Sequence, residues 1–267
     1  MQRGAERPAP NGGAGDGTVG KALDLLDRVA ERGRPVRFSE LQGEAGLPKA
    51  TLHRLLQTLT NQGMLHYDDE RHTYGPGLRL VRLAHAAWAQ SALAPLARPV
   101  IDRLAAEVRE TVHLAQLERG QVLYVDKRNA ERPVQMFAQA GKVGPGYCTG
   151  VGKAMLAFLD DAARRDAVNR QAFFAHTPAT IASAAALEAE LATIRAEGIA
   201  YDREEHEPGI ICIAAPILSA RGRMLGALSI TTTTARHALA DLDAWRPVLL
   251  AAAQDIAAAA EAWQFPD

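Results

Sequence analysis

The composition and charge of this 267-residue chain exclude several classes of protein. A hydrophobic content of 48% is enough for two compact domains, and since no apolar run reaches about 18 residues, no segment is expected to span a membrane. A formal net charge of −1 excludes a protein that coats nucleic acid, and two cysteines, Cys148 and Cys212, are too few for a disulfide framework, which favours a reduced cytoplasm.

The chain begins with a polar stretch rich in Gly and Pro, MQRGAERPAPNGGAGDG, at residues 1–17. It has no bulky apolar residue after Met1, so it cannot be the apolar region of a signal peptide, and we predict a disordered tail. From residue 18, apolar positions recur at helical spacing and predict a first helix that ends near Gly33. These positions are Val19, Ala22, Leu23, Leu26 and Val29.

Residues 39–63, SELQGEAGLPKATLHRLLQTLTNQG, have the pattern of a helix-turn-helix. Ser39 and Gln42 have the spacing of a capping box at the start of the first helix. Gly46 supplies the break, and Pro48 fits the first turn of the second helix. Four leucines of that helix fall at i, i+3, i+4 and i+7 and predict one buried face. They are Leu52, Leu55, Leu56 and Leu59.

The opposite face of the second helix carries the side chains that we predict to contact DNA. Small, hydroxyl, amide and cationic groups are those that meet base edges and phosphates in a major groove. The stretch from Leu47 to Tyr67 contains no Asp or Glu, so this face can lie against phosphate without repulsion. The alternative is a structural helix pair whose outer face is only solvated. The predicted DNA contacts are Lys49, Ala50, Thr51, His53, Arg54 and Gln57.

Two short strand patterns follow, MLHY at residues 64–67 and a second at Thr73–Tyr74, around the polar sequence DDERH. A hairpin here would form a wing whose tip offers Arg71 and His72 to a DNA backbone or minor groove. We therefore predict a winged helix-turn-helix domain over residues 18–76, with Arg71 as a further DNA contact.

A helix that links two domains is predicted after the wing. Gly75, Pro76 and Gly77 interrupt the strand pattern. Apolar residues at helical spacing resume at Leu78, so we predict a linker helix over residues 77–91.

The remaining residues, 92–267, mix helix and strand patterns and predict an α+β domain. The domain opens with a helix and closes with an Ala-rich helix, and a helical region in its middle ends at Gly198. A tight turn at Arg119–Gly120 joins the first two strands. The predicted strands are residues 112–118, 121–127 and 134–139 and the segments IICIAAPIL and MLGALSITTTT.

A glycine-rich stretch, GPGYCTGVGK at residues 144–153, runs into the apolar sequence AMLAFL. Such a stretch exposes backbone N–H groups at a helix N-terminus, where a phosphate or carboxylate binds favourably. It is no P-loop, because Ala154 follows Lys153 where Ser or Thr is required, and it lacks the dinucleotide pattern GxGxxG. On the residues alone, a turn that packs a helix and a cradle for a ligand are both open interpretations.

Four stretches of the chain, in this order and spacing, resemble the IclR family of transcriptional regulators. They are GTVGKALDLLDRV with the helix-turn-helix, ETVHLAQLERGQVLYVDK, YCTGVGKAMLAFL and YDREEHEPGIICIAAPI, and the similarity extends from about Thr18 to the C-terminus. The resemblance implies a regulator that binds a double-stranded DNA operator and carries a GAF-like domain for a small carboxylate effector. It also implies a homo-oligomer, a dimer of dimers.

The same resemblance implies where the effector binds. Backbone N–H groups of the glycine-rich stretch would hold the carboxylate, and two hydroxyls that alternate to one side of a strand would add donors. Many relatives have Ser where this chain has Thr231 and His where it has Tyr147, changes that keep hydroxyls but alter the pocket size. The pocket suits a short 2-oxo acid such as glyoxylate or pyruvate, with an aromatic acid as the alternative. The implied effector-binding residues are Met136, Gly150, Val151, Asp202, Cys212, Ser229 and Thr231.

An enzyme or a metal site is the competing interpretation of several residues of this domain. No C-x-x-C or H-x-x-x-H spacing occurs and neither cysteine lies in a nucleophile motif, so we predict no catalytic site, no cofactor and no metal. We interpret His113 as a core histidine and the stretch from Glu204 to Glu207 as a solvated loop. The residues that a Cys–His pair or a zinc site would need are Cys148, Cys212, His113, His206 and Asp202.

Together the patterns predict a transcriptional regulator rather than an enzyme. We expect the carboxylate to shift the population of conformations and so to change the relative placement of two DNA-binding heads. The competing hypothesis is a ligand-binding module that acts through protein contacts and no longer reads DNA.

Overall fold

The computed structural model describes residues 17–90 and 93–262, and the chain divides into two compact units on either side of residue 90. The tail predicted at residues 1–17 lies outside the described residues except for Gly17, which begins the first helix. None of the described helices is long and apolar enough to cross a membrane. The elements of the first unit are α1 (Gly17–Glu31), β1 (Val36–Arg37), α2 (Phe38–Glu44), α3 (Lys49–Asn61), β2 (Leu65–Asp68), β3 (Thr73–Pro76) and α4 (Leu78–Gln90).

Leucines from three helices form the core of the first unit. The four predicted leucines of α3 are buried, together with Leu25 and Leu26 of α1 and Leu41 of α2. β2 and β3 form the predicted hairpin in a three-stranded sheet of order β1-β3-β2. β1 was not predicted; it pairs with β3 through Val36 and Tyr74, and two residues are too few for an alternating pattern.

The starts of α2 and α3 differ from the predicted ones. Ser39 lies inside α2 rather than at its cap, because Glu40 and not Gln42 makes the capping contact. The Glu40 carboxylate accepts the backbone N–H of Arg37 at 2.9 Å. Pro48 is the N-cap of α3 rather than part of its first turn, and Gly46, at φ +60°, makes the predicted break.

A close backbone contact joins the start of α4 to the end of α3. The Arg79 guanidinium donates to the backbone carbonyl of Gln62 at 3.1 Å and to its side-chain oxygen at 2.9 Å. The backbone N–H of Gly77 donates to the Met64 carbonyl at 2.9 Å. A Cβ atom at residue 77 would lie 2.2 Å from the Gly63 carbonyl oxygen, so only glycine fits there.

The second unit combines helices with an antiparallel sheet, which confirms the predicted α+β class. Its elements are α5 (Leu93–Val108), β4 (Thr111–Glu118), β5 (Gln121–Arg128), β6 (Val143–Gly144), α6 (Gly150–Ala157), α7 (Asp161–Asn169), α8 (Ala184–Glu197), β7 (Ala200–Arg203), β8 (Ile210–Leu218), β9 (Met224–Thr233), a 3-10 helix (Leu239–Trp245) and α9 (Arg246–Ala262). The six strands lie in the order β6-β5-β4-β9-β8-β7. β8 and β9 are buried at nearly every position, which is typical of strands covered on both faces.

Most of the predicted strands of this unit are confirmed. β4 and β5 are joined by the predicted turn, in which Arg119 and Gly120 have positive φ angles of 51° and 83°, as a two-residue hairpin loop requires. The segments IICIAAPIL and MLGALSITTTT contain β8 and β9. The four-residue strand β7 was not predicted; it pairs with β8 at the edge of the sheet.

The strand predicted at residues 134–139 is wrong, because this segment is a loop. Side chains bond its backbone groups in place of a neighbouring strand. The Phe137 N–H donates to Glu207 Oε1 at 2.8 Å, and the Ala138 carbonyl accepts from Lys127 Nζ at 3.1 Å. The edge position next to β5 is taken instead by the two-residue strand β6.

Candidate functional site

The exposed face of α3 carries the helix residues predicted to contact DNA. They lie opposite the buried leucine stripe, so the helix separates the two sets as the spacing predicts. The ring of His53 also lies 6.2 Å from that of Phe38, so this side chain packs against α2. The exposed side chains are Lys49, Ala50, His53, Arg54 and Gln57, and Thr51 is half-buried.

The start of α3 offers backbone donors in addition. Pro48 is its N-cap and has no side-chain acceptor, so the N–H groups of the first turn are free for a phosphate. The first turn contains no acidic residue that would repel a phosphate. This end of the helix therefore suits an anion.

The tip of the β2–β3 hairpin is a structured turn. The Asp68 carboxylate accepts the backbone N–H groups of Glu70 and Arg71, each at 3.0 Å, and the bond from Arg71 lowers the pKa of Asp68. The Arg71 side chain is 78% exposed. The Tyr67 hydroxyl and His72 Nδ1 lie 3.0 Å apart. The hairpin thus presents Arg71 on an ordered tip.

In the second unit, the candidate effector site lies on one face of the sheet. Antiparallel pairing aligns Asp202 of β7 with Cys212 of β8, and Cys212 with Thr231 of β9. Ser229 lies two residues before Thr231 and is paired with His113 of β4. Residues that face each other across strands, or lie two apart along one, share a face, so these side chains point to the same side.

The N-terminus of α6 lies over these polar side chains. A Cβ atom at Gly150 would lie 2.4 Å from Cys212 Sγ, so only glycine allows the helix this close. The N-cap residue Thr149 donates its hydroxyl to the Pro145 carbonyl at 2.7 Å and does not cap the helix. The N–H groups of Gly150 and Val151 are therefore available to an anion.

A cavity of about 30 Å³ lies between α6 and the sheet. Six of the seven implied effector residues line it, namely Gly150, Val151, Asp202, Cys212, Ser229 and Thr231. Met136 is buried, but it lies outside this lining. The lining residues that the sequence did not assign to the pocket are His113, Tyr124, Ala138, Thr149, His206 and Glu207.

Asp202 is a buried acid among other acids. Burial, together with the nearby charge of Glu205, raises the pKa of Asp202 to about 7. Its Oδ1 atom accepts the backbone N–H of Glu205 at 2.8 Å, which fixes the carboxyl group in the cavity wall. A carboxyl group with this pKa is readily protonated, so it can lie beside a bound anion without repelling it.

The stretch from Glu204 to Glu207 is not the solvated loop that we predicted. Glu205 is buried and pairs with Lys153 of α6, whose side chain is fully buried. His206 and Glu207 line the cavity. The stretch turns inward because a buried ammonium group requires a carboxylate partner. A lone lysine among the apolar residues of α6 was the signal in the sequence that pointed to such a pair.

Burial keeps the imidazoles and thiols around the cavity uncharged. It lowers the pKa of His113 to about 3 and that of His206 to about 4. It raises the pKa of the Cys148 and Cys212 thiols well above the usual range, so neither is a nucleophile at neutral pH. In the described part of the chain, no group of His, Cys, Asp and Glu is arranged to hold a metal ion.

Comparison with known proteins identifies the family. The model of the IclR helix-turn-helix domain matches residues 18–69, and the model described as "Bacterial transcriptional regulator IclR C-terminal" matches residues 85–258. The chain belongs to the IclR family of transcriptional regulators. The HTH-type transcriptional regulator XynR of Escherichia coli K12 is 31% identical over 232 residues, which cover 87% of this chain and 92% of XynR.

Solved structures agree with the IclR assignment. The crystal structure of the Thermotoga maritima IclR is 25% identical with a TM-score of 0.73, covering 90% of this chain and 97% of that one. An IclR homolog from Microbacterium hydrocarbonoxydans, complexed with 4-hydroxybenzoate, shares the fold with a TM-score of 0.79 at 23% identity, over 92% of this chain and all (100%) of that one.

These matches confirm the predicted family and the GAF-like fold. As a member of the IclR family, the chain is a DNA-binding transcriptional regulator with a C-terminal effector-binding domain. Its named relatives are regulators and repressors, so it is not an enzyme.

The pKa of Asp202 makes the stability of this IclR-family regulator depend on pH. The folded state binds the proton more tightly than the unfolded chain, in which the pKa is near 3.8, so the stabilisation is complete below about pH 4 and is lost as pH rises to about 7. In the wild type, we expect Asp202 to lower the free energy of unfolding by about 1.4 kcal/mol for each pH unit over this range. Asp202→Asn should abolish this contribution. Denaturant unfolding at pH 5, 6 and 7 measures it.

The matched control is Asp255→Asn, which removes an exposed carboxylate paired with Arg103. Its free energy of unfolding should depend on pH as that of the wild type does. If the unfolding free energy of Asp202→Asn depended on pH as in the wild type, the raised pKa of the buried carboxyl group would be contradicted.

Proposed function

We propose that this regulator senses a small carboxylate in the cavity and responds by changing its affinity for an operator. The observation that carries the proposal is the α6 N-terminus, whose free N–H groups at Gly150 and Val151 face a lining without a cationic side chain. An anion in this lining would be held by N–H groups and hydroxyls and by the positive end of the helix dipole.

The size and polarity of the cavity favour a short 2-oxo acid such as glyoxylate or pyruvate. A volume of about 30 Å³ leaves room for few atoms. The hydroxyls of Ser229 and Thr231 would meet the second polar group of such an acid. An aromatic acid is the second candidate, since a protein of the same fold was solved with 4-hydroxybenzoate, but it requires the cavity to widen.

We propose that α3 enters the major groove and that the hairpin tip contacts the backbone or minor groove. The exposed cations, the free N–H groups of the first turn of α3 and the absence of acids from that helix support this orientation. The proposed DNA contacts are Lys49, Ala50, Thr51, His53, Arg54, Gln57 and Arg71. The winged helix-turn-helix would occupy residues 18–76, the linker 77–91 and the effector domain 92–267, in a cytoplasmic protein.

We further propose that the protein is a homo-oligomer, a dimer of dimers. Large apolar side chains on α1 and α4 are 48% to 83% exposed. Contiguous apolar surface of this kind is typical of protein interfaces rather than of monomers. A pair of heads matches an operator with two half-sites, and the effector would shift the population of their placements. These side chains are Val19, Leu23, Leu78, Val81 and Leu83.

Arg54→Ala tests the proposed reading helix. Because Arg54 is exposed on the face opposite the leucines, we expect the fold to persist while operator affinity falls roughly tenfold to a hundredfold, or the salt slope falls by about 1 if the contact is to phosphate. A salt-titrated gel-shift assay on the DNA upstream of the gene measures both.

Arg221→Ala, an exposed arginine in the β8–β9 turn, is the matched control and should bind as the wild type does. If Arg54→Ala left both the operator affinity and its salt dependence unchanged, the proposal that α3 contacts the operator would be rejected. Failure of the wild type to bind this DNA at low salt would favour the competing function, a ligand-binding module that acts through protein contacts.

The double variant Leu78→Glu with Val81→Glu tests the oligomer. Burying two carboxylates in an apolar interface is costly, so we expect the sedimentation coefficient to fall towards that of a smaller species. Val143→Glu, which changes an apolar residue of the second unit that is 48% exposed, should leave the distribution unchanged. A double variant that sediments like the wild type would exclude these faces from the interface.

Ser229→Ala tests the effector site. Loss of the hydroxyl leaves one polar end of the ligand unpaired, so we expect affinity to fall roughly tenfold to a hundredfold with the fold kept. Calorimetric titration of glyoxylate, pyruvate and 4-hydroxybenzoate measures it. Ser219→Ala is the control, because that hydroxyl accepts the Arg223 N–H in the β8–β9 turn, away from the cavity. Wild-type affinity in Ser229→Ala would remove this residue from the site.

A further inference from the structure

The hydroxyl of Thr231 is already committed to a partner inside the cavity wall. His113 Nε2 lies 3.3 Å from the Ala138 carbonyl oxygen, and His113 Nδ1 lies 3.2 Å from Thr231 Oγ1. A carbonyl oxygen can only accept a hydrogen bond, so Nε2 carries the proton of the ring. The ring orientation is therefore fixed by a backbone group and not by Thr231.

The other nitrogen of His113 must then accept. Burial, with the cation of Lys127 nearby, lowers the pKa of His113 to about 3, so the ring is neutral and Nδ1 keeps a lone pair. Among the residues that the structure describes, the Thr231 hydroxyl lies at hydrogen-bond distance from that lone pair, and it donates its single proton to it. Thr231 Oγ1 retains only acceptor capacity for anything that enters the cavity.

Two neighbouring groups of the cavity wall, Glu207 and Ser229, differ in what they offer a ligand. Glu207 Oε1 accepts the Phe137 N–H, and a carboxylate offers further lone pairs but no proton. Ser229 Oγ lies 3.5 Å from Thr231 Oγ1 and is the neighbouring hydroxyl whose proton is not held by His113. At the position that faces Thr231, the wall therefore offers an acceptor, while Ser229 beside it can still donate.

We propose that the second polar group of the effector is a hydroxyl that donates to Thr231 Oγ1, so that the site selects a short 2-hydroxy acid, or a 2-oxo acid in its hydrated gem-diol form, over an unhydrated ketone. This inference rests on the proposed carboxylate site at Gly150 and Val151. His113 is a positioning residue, because it acts on the effector only by holding the Thr231 proton away from the cavity.

A keto oxygen at the same place would meet the lone pairs of Thr231. Two acceptors cannot pair, and a buried polar atom without a partner weakens binding. Of the two acids favoured by the cavity size, glyoxylate is mostly hydrated in water and carries such hydroxyls, whereas pyruvate is mostly a ketone. The same carboxylate cradle should therefore bind them unequally.

The test compares lactate, as each enantiomer, with pyruvate, because the two acids share a carbon skeleton and differ only in a hydroxyl or a keto group at C2. Calorimetric titration into the full-length wild type should give at least one lactate enantiomer an affinity about tenfold or more above that of pyruvate. Glycolate and glyoxylate should behave like the better lactate. Equal affinities, or tighter binding of pyruvate, would overturn the inference.

Three variants separate this role of His113 from packing. His113→Phe frees the Thr231 proton to face the cavity, and Lys127 Nζ still donates to the Ala138 carbonyl. We expect the ratio of lactate to pyruvate affinity to fall to one or below. Thr231→Val removes the acceptor and should bring the ratio close to one, whereas Thr231→Ser should keep the wild-type preference. The ratio is the readout, because a general loss of packing weakens both acids alike.

The outcomes distinguish this inference from the proposed function. If carboxylates bind and Ser229→Ala weakens them, but lactate and pyruvate bind equally, the carboxylate site stands and the hydroxyl selection is wrong. If neither the short acids nor 4-hydroxybenzoate binds the wild type, the proposed carboxylate site fails and takes the inference with it, whereas binding of 4-hydroxybenzoate alone refutes only the hydroxyl selection. If His113→Phe does not fold, the Thr231→Val and Thr231→Ser pair decides, and an unchanged ratio in Thr231→Val refutes the assignment.

Discussion

The close approach of α6 to the sheet at Gly150 is the contact on which the effector site depends. Any Cβ atom there would overlap Cys212 Sγ, so a side chain would push the helix away from the polar row of β7, β8 and β9. With glycine, the positive end of the helix comes into contact with that row, and the backbone itself becomes part of the lining. The strand register supplies the rest, because Asp202, Cys212 and Thr231 are direct neighbours across three strands.

Removal of water then determines the charge of Asp202 and His113. Burial disfavours the charged form of an acid and of a base alike, so Asp202 approaches neutrality while His113 remains unprotonated. Lys153, a fully buried cation nearby, pairs with Glu205 and does not line the cavity. An anion at the proposed site would therefore be held through dipoles and hydrogen bonds rather than through an ion pair, and such a site discriminates by geometry and by the direction of each proton.

Features that local patterns encode could be predicted, and features made by distant contacts could not. The leucine stripe of α3 and the long strands β8 and β9 follow from spacing within one segment. The inward turn of the stretch from Glu204 to Glu207 depends on Lys153, 52 residues before Glu205; the lone lysine signals a buried partner, but no local pattern says which acid it is. The segment 134–139 has strand-like residues, but the side chains of Lys127 and Glu207 bond its backbone. The effector residues came from family resemblance, since the register that gathers them is invisible before folding.

Under the proposed function, the contact between Gly77 and Gly63 would make α4 a lever for α3. α3 has 13 residues, so its N-terminal end lies roughly 20 Å from the contact at its C-terminal end. Because the backbones meet there without side chains between them, α3 turns with the start of α4. A tilt of about 10° would carry the far end of α3 by roughly 3 Å, about one base-pair step along a DNA strand. A change of a few degrees at the start of α4 would thus be enough to move α3 out of register with an operator site.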